Sequence, residues 1–330
     1  MPHIPSSHLN RRTALGSLVL AATLLVPSLV QAQSATYPSK AIELIVPFAA
    51  GGTTDVAARI LAPALEARWK VPVRVINRPG GNTVPAVNEV MTAQPDGHTL
   101  LMDNPPQSSM LEIVVKQLPF KVMDRSFIGM FAQTPMMIIV PYDSPFKTLA
   151  DAAAAFKADP TKPSWTSLGG AGAQDLTFRQ FFKALAIDVT KTRPVQLKGG
   201  SEAVTLTAGG HVSVGVATWS SIAAPLSAKH LQVLAVAASE RYPEIPDVPT
   251  TVEAGFPHMN VLYWTGVSGP PGLPPEVAQR WDAALKELTG DPAFIQQLAR
   301  VALVPFFMNA SGMRDFVSDE TKSVAALWAK

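Results

Sequence analysis

Residues 42–59 read IELIVPFAAGGTTDVAAR, and this stretch decides the fold. A short apolar run ends at Pro47, and apolar residues then recur from Val56 to Leu65 at the spacing typical of a helix. We therefore predict a strand, a glycine-rich loop and a helix.

The predicted loop is suited to hold an anion. Glycines let backbone N–H groups face outward, and the first turn of a helix leaves N–H groups unpaired at the positive end of its dipole. Phosphates and carboxylates bind at such ends. The alternative is that Gly51-Gly52 forms only a tight turn and that Thr54 or Asp55 caps the helix. Both interpretations fit this stretch alone.

Length and composition indicate a folded protein of more than one domain. The 330 residues exceed one minimal core, so length alone predicts two domains. Hydrophobic residues make up 47% of the chain and charged residues only 16%, as expected of a folded chain. The sequence contains no cysteine, which excludes disulfides, cysteine nucleophiles and thiolate metal sites.

The N-terminal segment, residues 1–32, is typical of a cleaved signal peptide. Arg11 and Arg12 precede an apolar stretch from Ala14 to Val30, and small residues favour cleavage after Ala32. The pattern predicts export to the periplasm and leaves the choice between the Sec and Tat routes open. The alternative, a membrane anchor, is disfavoured because the apolar run is short and contains a proline.

The charge balance of the mature chain bears on its partners. Residues 1–32 hold two basic residues and no acidic one, so cleavage leaves 25 basic and 25 acidic residues. Because nucleic-acid binding requires a basic face, we expect no nucleic-acid partner. No later stretch is apolar and long enough to span a membrane, so we expect the mature chain to lie outside the membrane, as a monomer.

The chain after the opening stretch predicts a first parallel sheet. Strands at Val73–Asn77 and Thr99–Asp103 flank a helix at Val84–Ala93. In parallel order the carboxyl ends of the strands meet at one edge, where ligands bind in open α/β sheets. Three loops follow these ends: residues 49–53, 78–82 and 104–108.

A second set of elements predicts a second lobe. Two short strands, Ile128–Phe131 and Met136–Val140, predict a first crossing between lobes, and a strand at Val261–Val267 predicts a second. Between them, Ser164–Ser167 leads into another glycine-rich loop and helix. Further strands at residues 195–197, 212–216 and 232–237 predict a second parallel sheet. Two α/β lobes joined by two crossings suit hinged closure on a small anion.

Short motifs occur in the same order along the whole mature chain as in one known family. They include Tyr37-Pro38-Ser39-Lys40, Val46-Pro47-Phe48, Asn77-Arg78-Pro79-Gly80, Pro95-Asp96-Gly97-His98-Thr99-Leu100, Leu197-Lys198-Gly199-Gly200 and Pro246-Asp247-Val248-Pro249-Thr250. With them the chain resembles the extracytoplasmic solute receptors of tripartite tricarboxylate transporters, the Bug or TctC-like proteins.

The resemblance implies a fold and a function. It implies an α/β, type II periplasmic-binding-protein fold with two lobes joined by a two-crossing hinge. On this chain, lobe 1 comprises residues 33–135 and 255–330, and lobe 2 comprises residues 136–254. The implied function is capture of a di- or tricarboxylate, amino acid or aromatic acid for delivery to a membrane permease. Because the sequence shows no acid/base or nucleophile pair and no metal-ligand spacing, we also expect no catalysis, cofactor or metal.

The resemblance also implies a binding site, in which two glycine-rich loops hold one carboxylate. The implied residues are Phe48, Ala49, Gly51, Gly52, Thr53 and Asp55 in the first loop, Ser167, Gly169, Ala171, Gly172, Ala173 and Asp175 in the second, and Asn104, Thr218 and Trp219 in the remaining wall. Trp264 is a further candidate for that wall. Trp219 and Trp264 suit either stacking on a planar ligand or packing.

The second loop departs from the family pattern. It carries Ala171 where a glycine is usual, lacks a hydroxyl near Gly172 and Ala173, and has Asp175 where a histidine is usual. Asp175 either favours the helix dipole and turns away from the cleft, or faces the cleft and selects a ligand with a hydroxyl, amide or ammonium group.

Other functions have weaker support in the sequence. A periplasmic sensor component that presents the same kind of solute to a receptor kinase is the alternative function. A hydrolase triad of Ser167, Asp175 and a distant histidine has no base placed within reach. The histidines of the mature chain, His98, His211, His230 and His258, lack zinc-ligand spacing.

Overall fold

The opening stretch forms the predicted strand and helix, β1 (Ile42–Val46) and α1 (Thr53–Trp69). The computed structural model describes residues 1–3, 37–170 and 172–328, and the chain from Tyr37 onward forms one compact unit. Most of the predicted signal peptide, from residue 4 to residue 32, lies outside the described residues.

The first sheet is parallel where the sequence predicted it. Strands β2 (Val73–Asn77) and β3 (Thr99–Asp103) pair with β1 on either side, and α2 (Val84–Met91) connects them. The carboxyl ends of the three strands therefore meet at one edge. A short helix, α3 (Leu111–Val114), follows.

The strand β4 (Ser126–Pro141) is continuous, so the prediction of two short strands around Pro135 is wrong. Pro135 lies opposite Leu262, at the end of the pairing between β4 and β9 (Leu262–Gly269). From Met136 onward the partners of β4 are other strands. A proline is tolerated here because the hydrogen-bonding partners change at this residue.

The second sheet is not purely parallel. The strands β5 (Ser164–Ser167) and β6 (Arg193–Gln196) pair in parallel, whereas β7 (Gly215–Thr218) and β8 (Leu231–Ala237) run antiparallel on either side of β4. The prediction is wrong in this respect because the strand that enters the second half becomes the centre of its sheet. Helix α7 (Trp219–Ser227) was not predicted.

Six further α-helices and the last strand follow along the described part of the chain. They are α4 (Leu149–Ala158), α5 (Ala173–Ala184), α6 (Gly200–Ala208), α8 (Pro275–Gly290), α9 (Pro292–Arg300), β10 (Val304–Asn309) and α10 (Ala310–Trp328). The main sheet has the order β10-β4-β9-β3-β1-β2, and β9 runs antiparallel to both β3 and β4.

We use "first half" for residues 37–135 and 255–328, and "second half" for residues 136–254. The apolar core of the first half includes the fully buried Leu44, Leu100 and Trp281. Phe178 and Val216 belong to the core of the second half. Of the described residues, no helix combines the length and apolarity that crossing a membrane requires.

Candidate functional site

A small cavity of about 30 Å³ lies where the two halves meet. Both halves contribute equally to its wall. The lining residues are Phe48, Ala49, Gly52, Thr53, Thr54 and Tyr263 from the first half, and Met136, Leu168, Gln174, Gly200, Ala217 and Thr218 from the second. Five of these lining residues were predicted from the sequence as site residues: Phe48, Ala49, Gly52, Thr53 and Thr218.

Four helices begin at this cavity. Gly52, Thr53 and Thr54 belong to the start of α1, Gln174 to the first turn of α5, and Gly200 is the first residue of α6. Thr218 is the residue before α7. Among the described residues, no side chain caps the first N–H groups of α1, α6 or α7 through the N-cap position. The positive ends of four helix dipoles therefore point at one small space.

No charged side chain is found among the described residues that line the cavity. The acidic residues in the first turns of α1, α5 and α6, which are Asp55, Asp175 and Glu202, lie outside the wall and accept hydrogen bonds from backbone N–H groups of their own loops. A cavity with this electrostatic character favours an anion, which backbone N–H groups can bind without a lysine or an arginine.

Hydroxyl groups join the two halves across the cavity. The Thr53 hydroxyl hydrogen-bonds with the Thr218 hydroxyl, and its Oγ1 atom lies 3.1 Å from the Ser220 Oγ atom. Thr218 Oγ1 is also 3.1 Å from Ser220 Oγ. Hydroxyls can donate or accept, so the three form a cluster that can reorient toward an anion.

A second chain of hydrogen bonds lies within the first half, beside the cavity. Asn104 Nδ2 donates to Thr54 Oγ1 at 2.9 Å, and Thr54 Oγ1 lies 2.8 Å from Tyr263 Oη. Burial raises the pKa of Tyr263 above its ordinary value. Asn104, predicted as part of the wall, is instead fully buried behind Thr54. It positions the Thr54 hydroxyl.

The structure of the first loop does not match the alternative interpretation in which Thr54 or Asp55 caps α1. Gly52 is the N-cap of α1, so neither Thr54 nor Asp55 caps this helix. Asp55 lies one turn further and accepts hydrogen bonds from Gly51 N (2.9 Å), Asn77 Nδ2 (2.9 Å) and Arg59 Nε (3.0 Å). Burial raises its pKa, but these three hydrogen bonds outweigh burial and lower it below the usual value. Gly51 and Asp55 thus stabilise the loop from outside the cavity.

In the second loop, Asp175 turns into its own loop and away from the cavity. Its carboxylate accepts hydrogen bonds from Ser167 Oγ (2.5 Å), Leu168 N (2.9 Å), Gly170 N (3.1 Å) and Gly172 N (2.9 Å). Only 1% of the residue is exposed. Of the two interpretations of Asp175, the structure therefore shows the one in which it does not face the cleft. Burial raises its pKa, and the four hydrogen bonds oppose that effect.

The other residues predicted in the second loop also lie outside the cavity wall. Gly169 N donates to Ser167 Oγ at 3.1 Å, so the Ser167 hydroxyl bonds within the loop. Ala173 is the first residue of α5 and is fully buried. Ala171 lies outside the described residues. The residues of this region that reach the cavity are Leu168 and Gln174, which were not predicted.

Both tryptophans make packing contacts. The Trp219 ring lies 5.7 Å from the Tyr242 ring, between centroids, and Trp264 is 1% exposed, with its Nε1 donating to Glu320 at 3.0 Å. Neither lines the cavity. Stacking on a planar ligand is therefore not their role in this conformation.

An open cleft of about 320 Å³ adjoins the cavity and shares Phe48 and Leu168 with it. Its other lining residues are Pro47, Gly80, Gly81, Asn82, Thr83, Pro106, Gln196, Leu197 and Lys198. Lys198 is the charged residue among these described residues. The cleft thus has an apolar inner end and a cation in its wall.

Metal binding receives no support from side-chain geometry. Within the described ranges, no group of three histidine, aspartate or glutamate side chains is arranged to hold a metal ion.

The comparisons with known proteins agree with this architecture. The family model described as "Tripartite tricarboxylate transporter family receptor" matches residues 57–330. The chain is 29% identical, over 328 residues, to a protein of Pseudomonas sp. (strain P51) described as "UPF0065 protein in tcbD-tcbE intergenic region". This match covers 98% of the chain and 94% of the relative.

Solved structures share the fold. The periplasmic binding protein BugD is similar with a TM-score of 0.81 and 25% identity, covering 88% of this chain and 97% of BugD. R. palustris Rpa4515, solved with adipate, has a TM-score of 0.83 at 22% identity, covering 88% of this chain and 97% of that one. The predicted periplasmic-binding-protein fold is confirmed.

Proposed function

The chain belongs to the tripartite tricarboxylate transporter receptor family, and from that premise we propose that it binds a small organic carboxylate between its two halves. The observation that carries this proposal is the convergence of the N-termini of α1, α6 and α7 on one cavity whose described walls hold no charged side chain. Such an environment stabilises a carboxylate and disfavours a cation.

We propose that binding requires the halves to separate and close again. In this conformation the Thr53 hydroxyl bonds to the Thr218 hydroxyl across the cavity, so a carboxylate that uses both hydroxyls as donors must first part them. In our account, the Thr53 and Thr218 hydroxyls, which bond to each other in this conformation, donate to the carboxylate when it enters. The ligand then takes over a contact that holds the two halves together, which favours the closed form.

The rest of the ligand extends into the adjoining cleft. Phe48 and Leu168 belong to both spaces, so a carboxylate at the helix ends leaves its carbon chain beside apolar walls. Lys198 lies in the wall of the cleft and suits a second acidic group. Rpa4515, a structural neighbour, is a protein with bound adipate, which has two such groups. We therefore place linear dicarboxylates first among the candidate ligands.

We further propose the two lobes and the destination of the ligand. Lobe 1 comprises residues 33–135 and 255–330, lobe 2 comprises residues 136–254, and β4 provides one of the two crossings. Membership in a receptor family supports a noncatalytic role in the periplasm, with delivery of the ligand to a membrane permease. A permease gene beside this one favours delivery, whereas a histidine-kinase gene favours sensing.

A thermal-shift screen of the mature protein tests the proposal. It uses citrate, C4–C6 dicarboxylates, acidic amino acids, and benzoate and pyridine carboxylates, with the corresponding amides as neutral controls. A ligand of the native state at a hundredfold excess over its Kd adds about 2.7 kcal/mol of stability. We expect one group of acids to raise the midpoint and their amides to leave it unchanged. Shifts from neutral or cationic solutes alone would contradict the proposal.

A further inference from the structure

We propose that Asp175 is an internal anion, which fills the amide cradle of the second glycine-rich loop in the place that a bound carboxylate would take. The cradle consists of the N–H groups of Leu168, Gly170 and Gly172 together with the Ser167 hydroxyl. Asp175 is thus a positioning residue: it shapes the loop and confines the carboxylate of a solute to the neighbouring cavity.

The hydrogen-bond geometry fits an ionised carboxylate. Asp175 Oδ1 accepts from Ser167 and Gly170, and Oδ2 accepts from Leu168 and Gly172. Two oxygens offer about four acceptor positions, and all of them are used. The Ser167 hydroxyl donates its proton to Asp175, and its oxygen accepts a hydrogen bond from Gly169 N. An added proton on the carboxyl would have to displace one of these donors.

The loop has the backbone shape of a main-chain anion site. Gly169 and Gly170 have φ angles of +75° and +93°, which glycine adopts readily, and the N–H groups of Leu168, Gly170 and Gly172 point at one carboxylate. Helix α5 begins directly after the loop and adds the positive end of its dipole. These are the donors that hold external phosphates and carboxylates in other proteins.

The comparison with Asp55 shows what is unusual about Asp175. Asp55 occupies the corresponding position of the first loop, but it accepts only one backbone N–H and is paired with the guanidinium of Arg59. The four donors to Asp175 are all neutral. Arg179, one turn further along α5, interacts with this charge at a distance, so the groups that contact the Asp175 carboxylate are main-chain dipoles and a hydroxyl.

Asp175 acts on the binding cavity through its neighbours in the loop. Two neighbours of Asp175 line the cavity. Leu168 donates a hydrogen bond from its N–H group to Asp175, and Gln174 directly precedes Asp175 in the chain. Because the cradle is filled from within, its N–H groups are unavailable to a solute. The carboxylate of the solute must then use the N-termini of α1, α6 and α7 with the hydroxyls between them.

Chemical rescue of Asp175→Ala tests this inference. The substitution removes the carboxylate and leaves the cradle, so free acetate can take its place. We expect the thermal midpoint of D175A to fall below that of the wild type and to rise saturably with acetate at constant ionic strength. Acetamide, which is neutral and of the same shape, should not restore it.

Asp151→Ala is the matched control. Asp151 has the same position in its helix and accepts from Lys147 N and Thr148 N at 2.9 and 2.8 Å, but it is exposed. Its substitution leaves no enclosed cradle, so acetate should not restore the midpoint. An equal acetate response in D175A, D151A and the wild type would overturn the inference. Such a shared response would come from acetate in the cavity and would therefore bear on the proposed function, whereas a response confined to D175A bears on the cradle.

A refolding experiment covers the case in which D175A does not fold in buffer. The denatured variant is diluted into acetate or acetamide, and the yield of folded protein is measured by circular dichroism. A higher yield in acetate supports the inference, whereas equal yields contradict it. Asp175→Asn fills the cradle with a neutral amide, so we expect lowered stability and no response to acetate.

Discussion

The hydroxyl oxygens of Thr53 and Ser220 lie 3.1 Å apart, and this contact joins the two halves of the molecule across the cavity. Thr218 completes the cluster by bonding to both. The surface on which the halves close therefore consists, at this point, of groups that can donate to an anion as readily as to one another.

Thr218→Val should weaken carboxylate binding and leave the fold intact. The substitution keeps the shape and removes one donor. Since hydrogen bonds to charged groups contribute about 1.5–3 kcal/mol, we expect Kd to rise about 10- to 150-fold in isothermal titration calorimetry. Thr205→Val, which removes a hydroxyl that donates to Ser201 O on α6, is the control. Equal affinities of the wild type and T218V would exclude Thr218 from the site.

Gly169→Ala should disfavour closure. Gly169 has a φ of +75°, and a Cβ there would lie 2.7 Å from Asn82 Oδ1 of the first half. Gly210→Ala is matched in backbone strain, because Gly210 has a φ of +73° and open space around it. Both variants should lose about 1–2 kcal/mol of unfolding free energy. Only G169A should bind the ligand more weakly, and equal affinities would show that Gly169 and Asn82 do not limit closure.

Lys198→Met should discriminate between ligands with one and two carboxylates. Lys198 lines the outer cleft, so its charge acts on a second acidic group. Exposed ion pairs contribute about 0.2–1 kcal/mol, and we expect a loss of affinity of about 1.4- to 5-fold for a dicarboxylate. Affinity for the monocarboxylate of the same chain length should not change. Lys191→Met provides the control, and an equal loss for both ligands would refute the role of Lys198 in selecting diacids.

Asp55 should contribute to stability above its unfolded-state pKa and lose that contribution in acid. Its folded-state pKa lies below the unfolded value of about 3.9, so the folded protein favours the ionised form. As pH falls through the folded pKa, this contribution disappears. Urea unfolding from neutral to acidic pH should therefore show a steeper loss for the wild type than for Asp55→Asn. Parallel curves, with the exposed Asp143→Asn as reference, would contradict this.

The sequence predicts the local units of this fold well. The apolar run before Pro47 and the spacing after Gly52 suffice for β1 and α1, since both depend on residues close in the chain. The direction of β7 and β8 could not be predicted in the same way. Their orientation depends on pairing with β4, whose second part starts about 80 residues before β7.

The site was predicted at the level of loops and less well at the level of atoms. Gly52, Thr53 and Thr218 do line the cavity, and Gly200 had a signal in the Lys198-Gly199-Gly200 motif. The sequence contained no signal for Tyr263, because the hydrogen bond between Tyr263 and Thr54 joins residues that are 209 positions apart. The direction of the Asp175 side chain depends on the turn of its loop. The backbone N–H groups of Leu168, Gly170 and Gly172 bind the carboxylate, so it does not face the cleft.

Calorimetric titration of the most stabilising acid from the screen, alongside its amide, tests the central claim most directly. The titration compares the wild type with Thr53→Val/Thr218→Val, which removes donors from both sides of the cavity. We predict binding of the acid and not the amide by the wild type, and loss of most of that affinity in the double variant at unchanged circular dichroism. Undiminished affinity in the double variant, or equal affinity for acid and amide, would show that the anion does not bind between these helix ends.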